Sequence, residues 1–207
     1  MPKISEEKRQ ARRDQILAAS WRCFSRRGIH STSMDDIVRE SNLSFGAVYI
    51  YYKSKEDLIF AAFSSVFNEM RAPLAPLFAA EDPYPPPIFV REVAKVISSH
   101  ARRDGLNFGV SFLMGWSEAQ SNPKLKEIIV AGQLAYREAA TVVIRKWQKR
   151  GDLPAKSKPE NIAKVLLSFF LGFIVQSAML GAVEPVAALK GFEGLFLGTP
   201  SPRRGGK

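Results

Sequence analysis

Seven residues between positions 44 and 55 have the chemistry of contact with a nucleic-acid duplex: Ser44, Phe45, Gly46, Ala47, Tyr49, Tyr51 and Lys55. Gly46 and Ala47 are small and let a backbone come close to DNA. Tyr49 and Tyr51 are long enough to offer hydroxyls to phosphates. Lys55 opens a helical run, where free backbone N–H groups and an ammonium both favour phosphate. Phe45 cannot make a bidentate pair with guanine, but it and Ala47 can touch a thymine methyl. Other roles stay open at this point: Phe45 could instead pack against the N-terminal arm or first helix, and Tyr49 and Tyr51 could fill core.

These residues need a frame, and the preceding sequence supplies one. From about 8 to 27 the apolar residues Ile16, Leu17, Ala19, Cys23 and Phe24 recur at helical spacing. Arg26-Arg27 and then Gly28 give the chemistry of a helix C-terminus. Ser33 can cap a second, two-turn helix carrying Met34, Ile37 and Val38, with Asp35 and Asp36 in its first turn. Ser41-Asn42-Leu43-Ser44 is a tight turn, and Asn42 tolerates the left-handed conformation it needs. Ser44 caps a third helix, Phe45 to Tyr51, whose Val48 faces Ile37 and Leu43. Ser54 begins a fourth. Two short helices joined by such a turn, behind a longer packing helix, form a helix-turn-helix, with the second short helix in the major groove.

The string TSMDDIVRESNLSFGAVYIYYKSKEDL at 32–58, preceded by ILAASWRCFSRRG at 16–28, resembles the helix-turn-helix of the tetracycline-repressor (TetR) family. The resemblance covers roughly residues 10–60; beyond them it is architectural. It implies an all-α homodimer: an N-terminal three-helix DNA-binding domain and a C-terminal helical dimerisation and ligand domain, about nine helices in all. It places Ser33 and Met34 near the DNA backbone, Ser44, Phe45, Gly46 and Ala47 against bases, and Tyr49, Tyr51 and Lys55 on phosphates. It puts Tyr52 in the core. Many relatives have Gly at position 42 and a polar or basic residue at 45, so this chain departs from the pattern at both. The departure at Phe45 points to a site with important thymine contacts.

The implied division is a DNA-binding domain with a basic arm at 1–58, an effector and dimerisation domain at 59–197, and a disordered tail at 198–207. Net charge is +10, spread along the chain: residues 1–58 carry 11 Lys and Arg against 8 Asp and Glu. Bulk charge therefore adds little to the DNA-binding reading, and the arm at 3–13 reads equally as a groove contact or a solvated helix end. The prolines at 73–87 predict a loop. Helical patterns follow at 88–103, 106–120, 124–150, 160–181 and 185–197, without convincing strand alternation.

Residues 165–183 hold no charged side chain. That length would span a bilayer, but Ser168, Gln176 and Ser177 and the absence of an aromatic belt favour a helix buried against a partner subunit. The resemblance implies a homodimer through helices at 160–181 and 185–197, where Gly172 and Gly181 would permit close approach. Candidate lining for an effector pocket is Phe63, Phe67, Phe108, Phe112, Trp116, Tyr136, Phe169 and Phe173, which together favour a small apolar or aromatic effector. Cys23 is the one cysteine and His30 and His100 are the two histidines; no metal-ligand spacing, cofactor fingerprint or catalytic motif appears. The expectation is a cytoplasmic, non-enzymatic transcriptional regulator, a repressor released from a palindromic double-stranded operator by its effector, with no membrane association and no cofactor. The alternative is a ligand-independent DNA-binding regulator or an activator.

Overall fold

The computed structural model describes residues 5–99, 102–103, 106–181, 184, 187 and 190–191. The described residues form eight α-helices: α1 Glu6–Arg27, α2 Met34–Ser41, α3 Phe45–Tyr51, α4 Lys55–Ala79, α5 Pro86–Ser99, α6 Phe108–Glu118, α7 Pro123–Arg150 and α8 Pro159–Leu180. Arg102–Arg103 and Leu106–Asn107 pair as a minimal antiparallel ladder before α6. The expected helix at 185–197 lies largely outside the described residues; the tail at 198–207 and the start of the basic arm lie wholly outside them.

Local chemistry sets most of the helix boundaries. Ser5, Ser33, Ser44 and Ser54 each accept a backbone N–H from the third residue of the helix that follows, which satisfies a donor the helix itself leaves open. Asn107 and Asn122 do the same for α6 and α7. Asn42 closes α2 in the left-handed region at φ 54° and ψ 31°, a conformation Asn tolerates better than most side chains.

The proline-rich stretch departs from its sequence reading. The structure carries α4 through Pro73 and Pro76 to Ala79, so the loop shrinks to the residues between Ala79 and Pro86. Each interior proline leaves a carbonyl one turn back without its helical partner. Packing offsets that cost: Leu74, Leu77 and Phe78 lie against the C-terminal core, and Phe78 meets Phe89 and Tyr136 edge-on at 5.0 and 5.1 Å. Pro86 and Pro87 then open α5, where a missing N–H costs nothing. That helix ends at Ser99, short of the expected 103.

The apolar interior forms two clusters. The first holds Ile16, Trp21, Phe24, Ile37, Val48, Tyr52 and Leu58, but also Phe63 and Val66 of α4 and Ala119, Leu125 and Ile129 near α6 and α7. The second joins α4, α5, α6, α7 and α8 around Phe89, Phe112, Trp147, Phe170 and Phe173. Helix α6 is pressed between its neighbours at two glycines. A Cβ on Gly109 would stand 2.8 Å from that of Ala178 in α8, and one on Gly115 would stand 2.9 Å from the Phe63 ring in α4. Gly181, at the end of α8, has φ +89°, a backbone conformation that favours glycine.

Candidate nucleic-acid interface

The frame beneath α3 is built from α1 and α2. The Asp36 carboxylate accepts the Ser33 backbone N–H at 3.0 Å, while Ser33 Oγ accepts the Asp36 N–H at 3.1 Å, a reciprocal capping box. Arg27 and Arg39 donate to the same carboxylate at 2.9 and 2.5 Å. These hydrogen bonds, led by those from Ser33, hold the Asp36 carboxyl well below the usual carboxylate range. One turn on, Arg22 and Arg26 both donate to Glu40 and lower its pKa in the same way. Gln15 donates to the Ser41 carbonyl at 2.7 Å. Three arginines of α1, Arg22, Arg26 and Arg27, are thus engaged in locking α2 onto α1, and Arg39 is paired within α2, which explains why bulk charge says so little about the surface of this region.

Helix α3 rests on that frame through one face. Val48 is fully buried with Ile37, Leu43 packs beside them, Tyr51 is partly buried against the same cluster and Tyr52 is buried. At 3.6 residues per turn, Gly46 and Ile50 lie opposite Val48, and Tyr49 and Phe45 lie along the flank between. Phe45 is 55% exposed and stacks on Tyr49 with ring centroids 4.3 Å apart and planes 25° from parallel. With that exposure the Phe45 ring stands outside the first apolar cluster.

The remaining sequence-derived residues divide. Ser44, Gly46 and Ala47 lie on or beside the outward face, and Ser44 Oγ accepts the Ala47 N–H at 3.3 Å. Ser33 spends its hydroxyl on its own helix. Met34 is half-buried against the first cluster. Lys55, half-buried at the start of α4, donates to the His30 carbonyl at 3.2 Å. Ile50, 68% exposed, was not singled out from sequence; turning the helix so that Val48 points inward would have found it.

The pocket residues do not form one group. Phe63 belongs to the first cluster, 4.9 Å from Trp21 in an edge contact. Phe67 and Trp116 touch both clusters, and Phe112, Tyr136, Phe169 and Phe173 belong to the second. The Phe108 side chain lies outside the described residues. Trp116 Nε1 and the Tyr136 hydroxyl are buried without a hydrogen-bond partner, and burial pushes the Tyr136 pKa up. Helix α6 also reaches the N-terminal region: Glu118 at its end lies 3.7 Å from His30 Nε2.

Residues 16–62 match the family model described as "Bacterial regulatory proteins, tetR family". The uncharacterized HTH-type transcriptional regulator YfiR of Bacillus subtilis is 40% identical over 57 residues, 28% of each chain. That match spans well under two thirds of the relative's length and falls to the N-terminal region's size. The HTH-type transcriptional regulator TtgR of Pseudomonas putida is 24% identical over 177 residues, 84% of this chain and 83% of its own. In fold, the chain is similar to a putative transcriptional regulator from Pseudomonas aeruginosa, with TM-score 0.76, 19% identity and coverage of 95% and 94%.

Proposed function

We propose that this chain, which belongs to the tetR family of bacterial regulatory proteins, is a cytoplasmic homodimeric repressor that binds a palindromic operator and is released by a small apolar or aromatic effector. The observation that carries the DNA-binding part is the outward face of α3, held on a capped and ion-paired frame. A rigid reading helix meets the duplex without ordering cost at the moment of binding. In this reading Phe45, Gly46 and Ala47 meet bases, with Ser44 beside them. Tyr49, Tyr51 and Lys55 hold phosphates, Lys55 with the donors it does not spend on His30. Ser33 and Met34 set the start of α2 near the backbone.

Dimerisation is supported by α8. Val165 is 54%, Met179 71% and Leu180 79% exposed, and Gly172 has no atom within 4 Å of a Cβ built there. An apolar helix side of this kind suits an isologous contact with a second copy. The effector part is supported by Tyr136 and Trp116. A buried polar group left unpaired costs about 1–3 kcal/mol, and an apolar molecule with one or two polar atoms would remove that cost. Helix α6 carries Phe112 and Trp116 and ends at Glu118 beside His30. A displacement of α6 would therefore act on the N-terminal region, shifting the pair of reading helices away from the ~34–36 Å spacing of successive major-groove faces.

The test is selection from a random-sequence duplex library with the full chain. An enriched inverted repeat supports the reading, and recovery of no common sequence contradicts it. A thermal-shift screen of apolar compounds, run with and without the selected duplex, separates the effector-released repressor from the ligand-independent regulator. Linkage requires that an inducer bind more weakly in the presence of the duplex, by the factor with which it weakens the duplex.

A further inference from the structure

The outward face of α3 offers almost nothing that can hydrogen-bond to a base edge. Its sequence, FGAVYIY, has no Arg, Lys, Asn, Gln, Asp or Glu. The Tyr49 hydroxyl is the one polar side-chain group on that face, and Ser44 at its edge already accepts the Ala47 N–H. Arg39, the nearest arginine before α3, is engaged with Asp36. The bidentate pairings that distinguish guanine or adenine in the major groove therefore have no donor on this helix.

What the face offers instead is apolar. Phe45 and Tyr49 form a stacked plate, rings 4.3 Å apart. About 100° around the helix from Tyr49, Ile50 projects with 68% of its surface exposed. Between them Gly46 has no neighbour within 4 Å of a built Cβ, so the plate and Ile50 flank a notch floored by backbone. The apolar group that a B-form major groove displays on a base edge is the thymine C5-methyl.

We propose that Phe45, Tyr49 and Ile50 form a methyl-reading surface, so that this protein selects its half-site through thymine C5-methyl groups, with Ile50 as a specificity-determining residue. The proposal rests on the duplex-binding reading above and adds to it the chemistry of the recognised sequence. It makes the half-site rich in thymine at the positions facing α3. A 5-methylcytosine offers the same methyl in the same groove, so the two sources share one chemistry and differ in their pairing partner.

The experiment uses the full chain and the duplex recovered by selection from a random library. Each thymine is replaced singly by deoxyuridine, which removes the methyl alone, and binding is followed by fluorescence anisotropy. Burial of one methyl predicts about a fourfold loss of affinity at each contacted thymine, and about 15-fold when symmetry-related thymines are replaced together. Phe45→Ala and Ile50→Ala should each erase the thymine–uracil difference at one position while the duplex remains bound. Both side chains are exposed, so the melting temperature should stay unchanged. Placing 5-methyldeoxycytidine for deoxycytidine at a contacted position should recover affinity if the methyl alone is read, and no recovery assigns the preference to the thymine pair. Uniform replacement by deoxyuridine without loss, or a thymine–uracil difference unaltered in both variants, overturns the proposal and leaves duplex binding intact. Failure to enrich any duplex overturns the underlying reading and this one with it.

Discussion

The two apolar clusters differ most in what becomes of the polar groups around them. In the N-terminal region serines cap α2, α3 and α4, two carboxylates gather four arginines, and Cys23 Sγ lies 3.8 Å from the Asp36 carbonyl. In the C-terminal region the Tyr136 hydroxyl, Trp116 Nε1 and Arg137 Nε are buried without hydrogen-bond partners, and α8 turns apolar side chains outward. The polar groups named in the first region are paired, and those named in the second are not. A device that presents a fixed shape to DNA needs the first condition, and a sensor needs the second.

The sharpest way to break this contrast is at the seam. Phe63 belongs to α4 but packs on Trp21 and on α6 at Gly115. Phe63→Ala should cost about 3–5 kcal/mol of stability, and a single cooperative unit would show this as one melting transition lowered by roughly 6–20 °C. Two separate transitions in calorimetry would mean that the regions melt independently. Next in size is the exposed face of α8. A Cβ at Gly172 meets no atom within 4 Å, so Gly172→Arg should keep the melting temperature of the isolated chain, yet yield monomer in sedimentation and weaken operator binding. A dimer of unchanged stability would place the interface elsewhere.

Two conservative deletions test the contrast directly, and they should differ in sign. Ser33→Ala removes a used hydroxyl and should cost about 1 kcal/mol, or about 2–4 °C in melting temperature. Tyr136→Phe removes an unused one and should leave the melting temperature equal or up to a few degrees higher, while abolishing the response to effector. A drop in both variants would erase the distinction. The smallest effect is a pH dependence. The folded pKa of Asp36 is depressed, so its contribution is present above the ordinary carboxylate pKa of about 4 and is lost as pH falls toward the folded value. The melting-temperature gap between wild type and Asp36→Asn should therefore be largest at neutral pH, begin to narrow only as pH falls below about 4, and close toward the folded value. A gap independent of pH would remove the carboxylate's charge from the account.

Much of the N-terminal region was legible because its determinants are local. Ser33, Asp36, Asn42 and Ser44 act within three residues of their own positions, so spacing alone reveals them. Pro73 and Pro76 were misread for the opposite reason: Leu74, Leu77 and Phe78 hold that turn helical through contacts with distant α5 and α7, which no local window contains. Phe63 carries the same limit, since an aromatic on an apolar helix face does not say which core it enters. Ile50 escaped because an exposed aliphatic residue is ordinary on any surface and becomes informative only once Val48 fixes the rotation of α3. The contact of Glu118 with His30 joins residues far apart in sequence and has no local signature.

The central claim is that two copies of this chain read a symmetric duplex through α3. It is tested most directly by titrating the full chain into the selected duplex at concentrations far above the dissociation constant and reading the stoichiometry from anisotropy. The account predicts a sharp break at two chains per duplex, or four if two dimers share the site. A break at one chain per duplex, or a gradual rise indifferent to sequence, would contradict it.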